Sequence, residues 1–190
     1  MALFRMKPHY RKRGGVSYKG DLISLVYGAR GLAATSVGNY ALFGGGQYGN
    51  NNTLSYVTSI DKFLTVRQTS QSLQWDVSAL AATSVGNYAL FGGGISAGAG
   101  SSDKVTAYDT SLTRIFCSAL YGSDSAEATS VGNYAIIHAM YSSDTTVYDT
   151  SLTKSRGAVF QTNRTSLAAT SVGNYALFGG GRNISGYMQD

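Results

Sequence analysis

The residues with most potential for catalysis or metal binding are two histidines and one cysteine. A metal or acid–base site at His138 would need carboxylates or a second imidazole beside it. Asp144 and Glu127 are available, but no pattern of spacing groups them with His138, and the second histidine is His9. Cys117 alone permits neither an intramolecular disulfide nor a cysteine-based zinc site within one chain. We therefore predict no metal, no cofactor and no enzymatic activity, and we expect His138 to be a packed or pocket-lining residue.

Three aspartates recur in one repeated segment and could be taken for acidic sites. Asp61, Asp109 and Asp149 each follow a run of strand-forming residues, and Thr-Ser comes next in two of the three copies. An aspartate in a turn commonly accepts a hydrogen bond from its own backbone two residues on. We therefore predict that these aspartates cap turns and have a structural role.

One sequence block occurs four times and organises the chain. Three copies are identical, whereas the third ends in Ile136 to Met140 in place of Leu-Phe-Gly-Gly-Gly. The threonines of successive blocks are 48, 46 and 41 residues apart, a spacing typical of β-propeller blades of ~40–50 residues. The sequence thus contains four units, with repeats beginning near residues 32, 80, 126 and 167. The blocks are Ala34–Gly46, Ala82–Gly94, Ala128–Met140 and Ala169–Gly181.

Each unit is predicted to be a four-stranded antiparallel sheet. Leu32–Val37 and Tyr40–Phe43 read as two strands around a Gly-Asn turn. The glycines that follow are not a phosphate loop, because no Gly-Lys-Ser/Thr sequence follows them; we expect them to allow close backbone approach. Val105–Asp109 and Arg114–Leu120 supply a third and a fourth strand in the second unit.

These units resemble the kelch repeat family, whose blade has an apolar strand ending in paired glycines and a later strand carrying a tyrosine. Phe43-Gly44-Gly45 and Tyr108-Asp109 match these two elements, and the likeness extends from about Leu32 to Gly181. The third unit lacks the glycines, and the family's tryptophan has at most one counterpart, Trp75. The resemblance implies an all-β kelch-like propeller, in which Leu112, Leu152 and neighbouring apolar residues replace the tryptophan.

The termini are expected to complete the ring, because a propeller must leave no exposed strand edge. Asp21–Tyr27 would form the outer strand of the fourth blade and Asn183–Tyr187 its third strand. This predicts a small propeller of four blades with four antiparallel strands each, one blade being shared by the N- and C-termini. The alternative is an open arc that is completed by oligomerisation with a second copy.

Composition and charge separate a basic arm from a neutral body. Only 13% of the 190 residues are charged and 24 are glycine, which argues against a helical bundle and against a charge-rich disordered chain. The net charge is +5, while residues 1–30 carry seven Lys or Arg against one Asp, or +6. We therefore assign residues 1–15 to an N-terminal arm and 16–190 to one propeller domain.

The arm is predicted to anchor the protein in an assembly. It is too short to fold alone, and its cations could contact an acidic partner protein or, less favoured, nucleic acid phosphates. Neither an apolar signal segment nor a membrane-spanning run is present in the sequence. We expect synthesis in the cytoplasm without a signal peptide. The anchoring residues are Arg5, Lys7, Arg11, Lys12 and Arg13.

The segments after the glycines differ between units and are expected to emerge on one face of the ring. Rigid sheets that present divergent loops have the geometry of a binding module, and Tyr and Asn are common on adaptable recognition surfaces. The alternative is that these segments are merely polar loops. The predicted binding residues are Tyr48, Asn50, Asn51, Asn52, Tyr141 and Arg182.

The function that these features favour is a non-enzymatic structural or adhesive binding module. Near-identical, Gly- and Tyr-rich kelch-like units look similar to repeat proteins of bacteria and their phages. This resemblance implies a virion component whose arm contacts other virion proteins and whose loops contact a host glycan or surface protein. The alternatives are a cytoplasmic kelch-type protein–protein interaction module and, third, a sugar-acting enzyme of the kelch propeller class.

Overall fold

A computed structural model describes residues 25, 28–50, 52–140, 142–161, 163–183 and 186–187. The regular structure of these residues is β throughout, in line with the sequence prediction. The described residues contain no helix with the length and apolarity that a membrane span requires. The strands are β1 (Ala33–Val37), β2 (Tyr40–Gly44), β3 (Gln47–Tyr48), β4 (Asn52–Thr53), β5 (Val57–Asp61), β6 (Val66–Gln68), β7 (Ala81–Val85), β8 (Tyr88–Gly92), β9 (Ile95–Ser96), β10 (Gly100–Ser101), β11 (Val105–Asp109), β12 (Arg114–Cys117), β13 (Ala126–Val131), β14 (Tyr134–Ala139), β15 (Asp144–Asp149), β16 (Lys154–Val159), β17 (Ala168–Val172), β18 (Tyr175–Gly179), β19 (Arg182–Asn183) and β20 (Gly186–Tyr187).

Units 1, 2 and 3 are each a four-stranded antiparallel sheet, as predicted. Their strand orders are β1-β2-β5-β6, β7-β8-β11-β12 and β13-β14-β15-β16. The first two strands of each sheet join through the Gly-Asn turn of the block, whose glycine has a φ of 53–54°. A residue without a Cβ adopts this left-handed conformation at little cost, which explains why the same turn recurs.

The sheets succeed one another in a propeller-like arrangement. The first strands pack side by side in the order β1, β7, β13 and β17, while β6, β12 and β16 form the outer edges. Apolar side chains fill the space between neighbouring sheets. Leu42 and Phe91 lie in the cluster between units 1 and 2, and Leu90 and Ile137 lie in the cluster between units 2 and 3. All four are at most 2% exposed.

A buried tyrosine in the third strand ties each of two units to the preceding one. The Tyr108 hydroxyl donates to the Gln71 carbonyl at 2.9 Å, and the Tyr148 hydroxyl donates to the Ser118 carbonyl. Gln71 and Ser118 lie just beyond the outer strands β6 and β12. Burial raises the pKa of both phenols, so the hydroxyls remain donors at any physiological pH.

The repeated aspartates cap turns, as the sequence predicted. Asp109 Oδ1 accepts from the amides of Ser111 and Thr113 at 2.8 and 2.9 Å, and Asp61 and Asp149 make the same pair of bonds at their own turns. The leucine three residues after each aspartate has a φ of 60–65°. Two of these leucines, Leu112 and Leu152, pack at the edges of the clusters between units.

Glycine at the end of the second strand lets neighbouring sheets approach closely. A Cβ built on Gly44 would lie 2.9 Å from the Phe91 ring of unit 2. A Cβ on Gly92, at the same place in unit 2, would lie 3.2 Å from Ile137 Cδ1 of unit 3. The first distance is shorter than a carbon–carbon van der Waals contact, so the missing side chain is a packing requirement.

The described residues of unit 4 form one pair of strands in its sheet. In the described part of the chain, β18 pairs with β17 alone, and Val172, Tyr175 and Leu177 are 61%, 72% and 47% exposed. The corresponding Val37 and Leu42 of unit 1 are 4% and 0% exposed. Identical block sequences are therefore core in one unit and surface in another.

The third strand predicted at Asn183–Tyr187 is wrong. These residues belong to a short hairpin, β19–β20, in which Asn183 pairs with Gly186. Units 1 and 2 form hairpins at the same place, directly after two glycines of positive φ that turn the chain away from the sheet. The predicted outer strand at Asp21–Tyr27 lies, apart from Leu25, outside the described residues.

Replacing Gly44 with alanine is expected to destabilise the protein by about 1–3 kcal/mol, because the new methyl group overlaps the Phe91 ring. Gly179→Ala is the matched control: the same block position in unit 4 has no atom within 4 Å of an added Cβ. Alanine there should be neutral or slightly stabilising, because glycine is unfavourable in a strand. Urea unfolding of both variants measures the difference, and equal destabilisation would contradict the packing described for Gly44.

Candidate functional site

In the described part of the chain, three short hairpins emerge at one end of the sheets. They come directly after the glycine triplets of units 1, 2 and 4 and comprise residues 47–53, 95–101 and 182–187. At this end, the second strand of each unit finishes and the first strand begins, since Ala33 pairs with Gly44 and Ala81 with Gly92. We call this end the hairpin face.

The predicted binding residues that the structure describes lie on this face. Tyr48, Asn50 and Asn52 share the unit 1 hairpin and are exposed, Tyr48 by 62%. Arg182 is exposed on the unit 4 hairpin. Asn51, Tyr141 and the arm residues Arg5, Lys7, Arg11, Lys12 and Arg13 lie outside the described residues. The binding roles of all these residues stay predictions.

The hairpins are braced against their neighbours. The Ala97 amide of the unit 2 hairpin donates to Thr53 Oγ1 of the unit 1 hairpin at 3.2 Å. Ser101 Oγ donates at 2.7 Å to the buried carboxylate of Asp124, which also accepts from the Ser125 amide. These bonds hold the two hairpins in fixed positions relative to the sheets.

Unit 3 departs from the copied block at one directly opposed pair of residues. In units 1, 2 and 4 an alanine of the first strand faces a glycine of the second strand. In unit 3 the corresponding pair is Glu127 and His138. Side chains of directly opposed residues in antiparallel strands lie on the same face of the sheet, so the two changes affect one location. Comparison of the repeats could have identified Glu127, because the other units have Ala33, Ala81 and Ala168 there.

His138 is buried between units 3 and 4, in agreement with the prediction of a packed residue. It is 2% exposed, and its ring lies 4.6 Å from the Phe160 ring and 6.4 Å from the Phe178 ring, measured between centroids. Nε2 lies 3.4 Å from the Arg164 carbonyl oxygen, while Nδ1 makes no hydrogen bond among the described residues. Burial lowers the pKa of His138. Interactions with the backbone of Arg164 and Asp144 raise this pKa, but the effect of burial is larger.

A cavity of about 400 Å³ lies at the hairpin face, where the first strands of units 2, 3 and 4 begin. Glu127 is the ionisable residue among those that line it, and burial raises the pKa of its carboxyl group. Among the described residues, no three His, Cys, Asp or Glu side chains are grouped so that they could hold a metal ion. The lining residues are Ala79, Leu80, Ser125, Ala126, Glu127, Ser166 and Leu167.

Comparisons with known proteins inform the fold. No protein-family model and no curated protein matches the chain. The fold is similar to that of YjhT, a solved structure, with a TM-score of 0.70 over 85% of this chain and 11% sequence identity. The chain spans 62% of the length of that structure. At this identity the likeness is one of fold alone, and it agrees with the propeller-like arrangement of sheets.

The pH dependence of stability should contain a contribution from His138. Because burial keeps the folded-state pKa below the ordinary value of about 6.5, the unfolded state binds a proton first as the pH falls. The free energy of unfolding therefore decreases below about pH 6.5, until the pH reaches the folded-state pKa. His138→Phe should lessen this decrease, measured as the change in melting temperature between about pH 7.5 and 5.5. His9→Phe, which changes the other histidine, is the control; an unchanged decrease in His138→Phe would contradict the assignment.

Proposed function

We propose that this protein is a non-enzymatic binding module whose hairpin face contacts a glycan. The observation that carries the proposal is the position of the hairpins: three segments of different sequence leave the sheets at the same end. A scaffold of hydrogen-bonded sheets that varies only at such segments can change its ligand without changing its core. A host surface protein is the alternative ligand.

The unit 1 hairpin supplies the chemistry that favours a sugar. Tyr48 presents an exposed ring, and such a ring can stack on the apolar face of a pyranose. Asn50 and Asn52 carry amides that donate and accept hydrogen bonds, as sugar hydroxyls require. The Gln47 side chain donates to the Asn50 carbonyl at 2.8 Å, which orders the loop before a ligand binds.

We further propose that the protein is a kelch-like component of a phage particle, held there by its basic arm. The support is the sequence: four Gly- and Tyr-rich repeats, and a +6 charge confined to the first 30 residues. An acidic groove on another virion protein would complement the charge of the arm. A cytoplasmic protein–protein interaction module is the second proposal.

Tyr48→Ala is expected to weaken glycan binding about tenfold or more, because it removes the stacking ring. Tyr134→Ala is the matched control: Tyr134 is 50% exposed but begins β14, at the end of the sheet opposite the hairpins. A glycan array followed by calorimetry on the best ligand compares the two variants. Loss of binding in both, or in Tyr134→Ala alone, would refute a site on the hairpin face. Capture of a protein in place of any glycan would favour the alternative ligand.

Deletion of residues 1–15 is expected to abolish incorporation into particles while leaving glycan binding unchanged. The arm carries the cations proposed to dock, and the described hairpins lie in the remaining chain. Electron microscopy and protein composition of particles assembled with each form provide the measurement. Normal incorporation of the truncated protein would exclude anchoring by the arm.

A further inference from the structure

The cavity at the hairpin face carries chemistry that neither the hairpins nor the copied blocks account for. Leu80 and Leu167 provide apolar walls, and Ser125 and Ser166 add two hydroxyl groups. Glu127 adds a carboxylate. The volume of about 400 Å³ lies in the range of small-molecule sites, ~300–1,000 Å³, which combine apolar walls with a few polar groups.

The fold itself does not require Glu127. The other three units have alanine at this position and form the same pair of strands in the same register. Partial burial of a carboxylate costs free energy unless a cation or hydrogen-bond donors compensate it. In the described part of the chain, Glu127 forms no ion pair, and burial is the cause that raises the pKa of its carboxyl group. The Glu127 carboxylate is thus a hydrogen-bond acceptor that lines a cavity and has no cation paired with it among the described residues.

His138 stands where the other three units have glycine. Between units 1 and 2, the equivalent Gly44 leaves no space even for a Cβ, because the Phe91 ring fills it. At the same place in unit 3 a whole imidazole stands against Phe160 and Phe178. His138 does not line the cavity, whereas Glu127, the residue directly opposite it on the neighbouring strand, does.

We infer that this cavity binds a small alkylammonium ion. An ammonium group has three N–H donors and no acceptor, and the carboxylate of Glu127 with the hydroxyls of Ser125 and Ser166 supplies three acceptors. Leu80 and Leu167 provide apolar surface for the methylene chain, as apolar surfaces do for lysine stems. An anion would be repelled by Glu127, and a neutral ligand would leave its carboxylate without a cation.

Two sources share this chemistry: a free aliphatic amine and the lysine side chain of a protein. Two probes distinguish them, n-butylammonium for the first and Nα-acetyl-lysine methylamide for the second. The neutral probe 1-butanol has the same chain length and lacks the charge. The inference does not depend on the proposed glycan site, because Tyr48 does not line the cavity.

The test is an NMR titration of the full chain that monitors the methyl groups of Leu80 and Leu167. Both ammonium probes, or one of them, should give saturable shifts, and 1-butanol should bind at least about tenfold more weakly. Glu127→Gln keeps the shape of the side chain, removes its charge, and should weaken ammonium binding about tenfold or more. Glu127→Ala introduces the residue that the other three units have at this position, so the variant should fold. Its binding of ammonium should be weakened to the same extent.

Two controls separate the site from general charge effects and from the hairpin face. Asp76→Asn removes an exposed carboxylate that does not line the cavity and should leave ammonium binding unchanged. Tyr48→Ala should also leave it unchanged, so failure of the glycan proposal and failure of this one remain distinguishable. Equal binding of butanol and butylammonium, an unaltered affinity in folded Glu127→Gln, or the absence of saturable shifts would overturn the inference.

Discussion

The close approach of neighbouring sheets is the constraint on which this structure depends. Where the second strand of unit 1 ends, Gly44 lies against the Phe91 ring of unit 2, and an added Cβ would overlap that ring. Leu42 and Phe91 are buried between these two sheets, and the first strands β1 and β7 pack side by side. The next two glycines, Gly45 and Gly46, have positive φ and direct the chain into the hairpin. The adjoining glycines of one block thus serve both the packing of the sheets and the exit of the chain into the hairpin.

The third unit shows the effect of changing this constraint. Its block has His138 in place of the glycine and Glu127 in place of the opposing alanine. The His138 ring stands between units 3 and 4, against Phe160 and Phe178. Glu127 lines the cavity where the first strands of units 2, 3 and 4 begin. The connection after β14 is short, and no strand pair is found among its described residues. Loss of the glycines therefore coincides with loss of the hairpin.

The candidate sites were predictable to different degrees. The position of the variable segments is determined by the repeat, because segments that connect equivalent strands must leave the sheets at the same end. The exposed Tyr48 was identified in this way. No spacing pattern in the sequence supports Glu127 as a metal ligand beside His138. Comparison of the repeats nevertheless distinguishes Glu127, because the other units have Ala33, Ala81 and Ala168 at this position. That it lines a cavity depends on three units meeting at one place, which no single repeat encodes.

The sequence by itself determined the local structure: the Gly-Asn turns, the aspartate-capped turns and the four-stranded antiparallel sheets of units 1 to 3. These features depend on backbone preferences and hydrogen bonds between residues a few positions apart, which residue types report directly. Only the tertiary structure decided which copies of one sequence are buried. Val37 and Val172 occupy the same block position and are 4% and 61% exposed. The burial of a residue depends on whether another sheet packs against it as well as on the residue type. A repeated sequence does not show which of its copies has such a neighbouring sheet.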